Sequence, residues 1–194
     1  MLHHAFPPLG GKGGRDMARL MGSFSRHTDI QIDHVTISDK PVYQSDEIGG
    51  TVVTHRLNVY RRSPLRGFGA GELFEYQAKS YLFILRTSRK VPYDLVHAMG
   101  IFPEGYTAYA FRDRFPYLVS LLPSDEASMA RMTGGRAVDL AALSHHIRVG
   151  ARRIFDHRRA VPFPPPGLAK RYAEAYRSIA GQVPPRARRR ADVR

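Results

Sequence analysis

The chain has 194 residues, 43% of them hydrophobic and 10% aromatic, which is enough to bury a core; wholesale disorder is excluded and one domain with appendages is expected. It contains no cysteine, so disulfides and thiolate zinc sites are excluded, and no apolar run approaches the roughly 18 residues of a membrane span. The net charge is +13, and most of it lies late: residues 1–134 hold 16 basic and 13 acidic side chains, residues 135–194 hold 14 and 4. Such a concentration attracts polyanions by counterion release, although 25 of the 30 basic residues are arginine, as a GC-rich genome produces by drift alone.

Residues 1–22 read as a flexible leader, its first 16 residues broken by two prolines and four glycines, with a helical turn or two at Asp16–Met21. This start has no signal-peptide core, so the cytoplasm is the expected compartment. His27 to Ser38 alternates as a strand with a bulge at Asp33-His34, and residues 42–50 read as irregular. Thr51 to Arg61 is the next strand.

The longest period-2 signal is Gly71 to Arg86, GELFEYQAKSYLFILR, which reads as a central strand hairpinned to Thr51–Arg61. Pro92 opens two helical turns over Tyr93–Met99. Tyr106 to Leu122 reads as a strand-rich hairpin with its turn near Asp113. Helices then follow at 124–133, at Ala137–Arg159 and at Leu168–Ala180, with Leu168, Tyr172, Ala175, Tyr176 and Ile179 inward on the last. The expected fold is therefore α+β: an antiparallel four- to five-stranded sheet over 28–122, packed by C-terminal helices over 124–180. The domain would run 23–181, with 182–194 a basic disordered tail.

The charge favours binding without catalysis, through an accessory or regulatory nucleic-acid-binding surface that grips the phosphate backbone. Arg148, Arg152, Arg153, Arg158, Arg159, Lys170, Arg171, Arg188, Arg189 and Arg190 are its expected contacts. Tyr60 and Tyr76 could stack single-stranded bases, though cross-strand packing explains them better. The alternative is an adaptor whose helical end docks an acidic protein partner.

Three motifs point elsewhere. Gln77-Ala-Lys79, with Glu75, is similar to the Q-x-K variant of the signature of restriction-type PD-(D/E)xK nucleases. That resemblance implies a metal-binding carboxylate on the preceding strand and a lysine stabilising the attacking water. The hairpin register instead sets His55, Arg56 and Leu57 opposite, and Asp46 falls about 30 Å away along the sheet. His145 and His146 are adjacent on a helix and point about 100° apart, so they cannot chelate together; His3 and His4 have no further ligand in register. Gly10-Gly-Lys-Gly-Gly14 lacks the P-loop GK[ST] element and a preceding strand, and reads as a linker. No metal or cofactor is expected.

Overall fold

The computed structural model describes residues 1–60, 67–120 and 167–181. Helix α1 (Gly11–His27) is followed by β1 (Ile32–Ile37), β2 (Gln44–Ile48) and β3 (Val52–Leu57). Next come α2 (Ala70–Thr87), β4 (Val96–Met99), a wide turn at Ile101–Gly105, α3 (Tyr106–Ala110), β5 (Tyr117–Ser120) and α4 (Leu168–Gly181). The strands form a mixed three-stranded sheet of order β1-β3-β2 and a parallel pair β4-β5. Only β2 runs antiparallel to its neighbour, turning into β3 through Gly49 and Gly50, both at positive φ.

The N-terminal residues join the two sheets. Leu2 bridges Val35 of β1 and Ala98 of β4, both in parallel sense. The Leu2 N–H donates to the His97 carbonyl (2.8 Å) and the Met99 N–H to the Leu2 carbonyl (2.9 Å) on one side; the His3 N–H donates to the Val35 carbonyl (3.1 Å) on the other. Helices cover both faces. On one, Met17, Leu20, Met21 and Phe24 of α1 pack with Leu168, Tyr172 and Tyr176 of α4 against Ile32, Val52 and Leu118. On the other, Tyr76 and Ile84 of α2 and Ala108 of α3 pack against Val35, Ile37, Leu57 and Val119.

This architecture corrects the expected antiparallel sheet. The stretch Gly71–Arg86 is helix α2, and its buried residues Tyr76, Ser80 and Ile84 recur every four positions. Alternation of apolar and polar residues was fortuitous there. Sixteen residues are far longer than the usual strand of about five or six. Glu72, Glu75, Lys79 and the leucines are good helix formers. Glu72 accepts from the Gly69 N–H (2.7 Å) at the helix start, and Glu75 pairs with Lys79 at 2.7 Å one turn on.

The same exchange occurs twice more. Val96–Met99, expected as helical turns, is a strand buried at all four positions, and Tyr106–Ala110, expected as a strand, is a helix. Strands covered on both faces show no alternation, so the periodicity signal vanishes where the sheet is most buried. Residues 1–14, expected as a leader, contain the linking segment and the start of α1; Leu2 is 1% exposed. Beyond these, the helices expected at 124–133 and 137–159 and the tail 182–194 lie outside the described residues.

A candidate ligand crevice at the carboxyl ends of the strands

The linking segment Met1–His4 lies between β1 and β4, and the chain leaves the sheet in opposite directions from it and from β4. Residues 5–10 lead to α1 on one face; residues 100–105 lead to α3 on the other. In sheets with parallel neighbours such divergence opens a crevice at the carboxyl edge, where ligands bind. Each of the two loops carries a cis proline peptide, Pro7-Pro8 and Phe102-Pro103.

One interaction joins the two loops. Glu104 is fully buried, and its Oε1 accepts from the His4 N–H at 2.7 Å and meets His4 Nδ1 at 2.6 Å. Burial pushes the Glu104 carboxyl up, but the charge and hydrogen bonds of His4 outweigh it and hold the group below its ordinary value. Its second oxygen, Oε2, is buried with no hydrogen-bond partner among the described residues. The edge of Phe68 packs on the His4 ring at 4.8 Å.

The first of these loops ends at the start of α1. Among the described residues no side chain caps this helix, and no acid stands in its first turn, so none of them compensates its positive end. Its glycines divide in two. Gly10 and Gly14 are packed: an added Cβ would lie 2.3 Å from the Ala5 Cβ and 2.1 Å from the Leu9 carbonyl oxygen. Gly11 and Gly13 have nothing within 4 Å of that position. Gly11 needs its φ of +53°, but Gly13 is not held to glycine by any atom of the described residues. Open space, backbone amides and the exposed Lys12 and Arg15 together fit an anionic group.

The linker reading of Gly10–Gly14 is thus corrected: a strand-like segment precedes it, and the 17-residue helix α1 begins within it at Gly11. Its signal was present in the sequence, since the glycines directly precede the amphipathic run Met17, Leu20, Met21 and Phe24. His3 and His4 belong to the core and crevice. The His3 Nδ1 meets the Ala5 carbonyl at 2.6 Å.

Of the expected phosphate-gripping residues, the structure describes Lys170 and Arg171, both exposed on α4. Lys170 lines an open depression of about 560 Å³ with Arg26, His27, Thr28, Asp29 and Arg177, where Arg177 pairs with Asp29. Arg148, Arg152, Arg153, Arg158, Arg159, Arg188, Arg189, Arg190, His145 and His146 lie outside the described residues. Glu75, Gln77 and Lys79 form no metal site. Glu75 also accepts from the Tyr60 N–H (3.1 Å), Lys79 donates to the Asn58 carbonyl, and no metal-binding cluster exists among the described residues. Tyr60 is exposed, whereas Tyr76 is fully buried and donates to the Val35 carbonyl at 2.8 Å. No helix among the described residues is long and apolar enough to cross a membrane.

No protein-family model matches the chain, and neither does any curated protein. Among solved structures it is similar to sucrose-phosphate synthase from Thermosynechococcus elongatus, with a TM-score of 0.53 and 18% identity over 84% of this chain and 93% of that one. At that identity the likeness shows the fold alone.

Proposed function

We propose that this chain binds a phosphorylated small molecule of the sugar-phosphate class in the crevice between residues 4–14 and 100–105. The observation that carries the reading is Gly13: a helical glycine with empty space where its side chain would be, beside an uncapped helix end. Phosphate oxygens would accept from the first-turn amides of α1, with Lys12 and Arg15 adding charge. The neighbouring fold belongs to a protein titled as a synthase of a sugar phosphate, which supports the choice of ligand class. Calorimetric titration with a hexose phosphate and with the free hexose tests this. The phosphorylated sugar is expected to bind at least about 10-fold more tightly, a difference of roughly 1.4 kcal/mol. Gly13→Asp is expected to abolish that binding with the fold intact. Equal binding of both sugars, or unchanged binding by Gly13→Asp, overturns the proposal.

A second reading keeps the expectation of a nucleic-acid surface. It is favoured by the grouping of Arg26, His27, Lys170 and Arg177, where the end of α1 meets α4. Fluorescence anisotropy with a labelled single strand and duplex, at about 50 and 300 mM salt, should show affinity falling steeply with salt. Lys170→Glu with Arg177→Glu should weaken binding to all sequences alike. Salt-independent affinity, or no effect of the double substitution, rules this surface out.

A further inference from the structure

Away from the crevice, on the α2 face of the sheet, three side chains stand in series. His55 of β3 is paired in register with Val35 of β1, and Asp33, two residues before Val35, shares its face. The His55 Nε2 lies 3.2 Å from Asp33 Oδ1, and its Nδ1 lies 2.8 Å from the hydroxyl of Tyr43, which immediately precedes β2. Asp33 is itself fixed: its other oxygen accepts from the Tyr93 hydroxyl at 2.6 Å. Phe83 of α2 covers the imidazole, with ring centroids 4.7 Å apart. Tyr43 remains 51% exposed.

These contacts fix the protons. The hydrogen bond from His55, joined by that of Tyr93, holds the Asp33 carboxyl below its ordinary value against the pull of burial. An ionised carboxylate only accepts, so the His55 proton sits on Nε2. Nδ1 then presents its lone pair to the Tyr43 O–H. This is the order of nucleophile, base and orienting acid that defines hydrolytic triads, which are recognised by geometry and not by residue order.

We propose that Tyr43 is a nucleophile, His55 its general base and Asp33 a positioning residue, and that Tyr43 accepts an acyl group from an activated ester. The phenolic oxygen bonds to the ester carbonyl carbon while its proton passes to His55 Nδ1. The carbon–oxygen bond to the leaving alcohol breaks, and the imidazolium returns the proton to that alcohol. A tyrosyl ester and a free alcohol result, with no change of oxidation state.

The test uses the full chain and p-nitrophenyl acetate, with acetylation at each tyrosine followed by peptide mass spectrometry. Tyr60 is 74% exposed and Tyr106 is 56% exposed, so both serve as internal references without a triad. A positioned base contributes on the order of 10²–10⁴, and Tyr43 is expected to be acetylated at least about 100-fold faster than either. His55→Ala should bring Tyr43 down to the reference rate, and added imidazole should restore Tyr43 above Tyr60 and Tyr106, since the acetylimidazole it forms would otherwise acetylate all three alike. Asp33→Asn should slow acetylation while the melting temperature shows the fold retained. Equal rates at Tyr43 and Tyr60 in the unsubstituted protein, or a His55→Ala rate unchanged from it, overturn the assignment.

Discussion

Acidification is expected to unfold this protein cooperatively, starting below about pH 6.5 and well before the carboxylates titrate. Among the described residues, three histidines are buried in the neutral form. His3 is pushed down to about 4, first by burial and then by the charge of His4. Burial holds His34 and His97 well below the ordinary imidazole value. His34 packs against Phe6 at 4.8 Å, its Nε2 without a hydrogen-bond partner among the described residues and its Nδ1 3.4 Å from the Thr54 hydroxyl. His97 lies between the Tyr176 hydroxyl (2.5 Å) and the Ser120 hydroxyl (2.8 Å), and Ser120 also meets Tyr172 at 2.8 Å. Both hydroxyl partners of His97 can donate or accept, so a neutral ring satisfies them fully.

The sign follows from proton counting. Below the ordinary imidazole value the unfolded chain binds three protons that the folded chain refuses, so stability falls as pH falls. Each histidine contributes about 1.4 kcal/mol per pH unit, and the three together about 4 kcal/mol per unit while all remain neutral in the fold. A drop of one and a half units therefore removes roughly 6 kcal/mol, comparable to the whole stability of a domain. Glu104 and Asp33, whose folded values are depressed, add stability above their unfolded values; that part is lost only at lower pH, as the folded groups titrate. Urea titrations followed by circular dichroism at half-unit steps from about pH 7.5 to 5 would measure the slope. A flat profile across that interval would mean that the three rings are not buried neutral.

How far the fold could be read from the chain depended on where each segment sits. The strands at 32–37 and 52–57 were legible because His34, Thr36, Thr54 and Arg56 break up their apolar residues. Helix α4 was legible because one face meets solvent; of the residues expected inward, Leu168, Tyr172 and Tyr176 are buried. By contrast, β4 is buried throughout, and Leu2 gives a segment too short to show any period. The crevice stayed hidden for the same reason. The two residues that join its loops, His4 and Glu104, are 100 apart in sequence, and nothing local in HHAF or FPEG announces that they pair. The Tyr43–His55–Asp33 series depends likewise on a parallel register between β1 and β3 that no hairpin turn signals.

Two adjacent glycines of the crevice wall should respond in opposite directions to one added methyl group. In Gly14→Ala the new Cβ would sit 2.1 Å from the Leu9 carbonyl oxygen, a backbone atom that cannot rotate away. Relief requires moving the loop at 5–10 or the first turn of α1, and overpacking of this kind costs about 3 kcal/mol. In Gly13→Ala the Cβ enters open space at an ordinary helical position, and the reduced freedom of the unfolded chain stabilises by up to about 1 kcal/mol. For a chain of this size the two variants should differ in melting temperature by roughly 10 °C, Gly14→Ala the lower. The contrast separates two reasons for glycine in one motif. Gly14 is required by the fold, because it lets the loop lie against the helix. Gly13 costs the fold stability without any return in packing, which leaves room for the proposed ligand at the head of α1. If Gly13→Ala were as damaging as Gly14→Ala, the motif would be explained by packing alone, and the case for a ligand at the head of α1 would lose its main support.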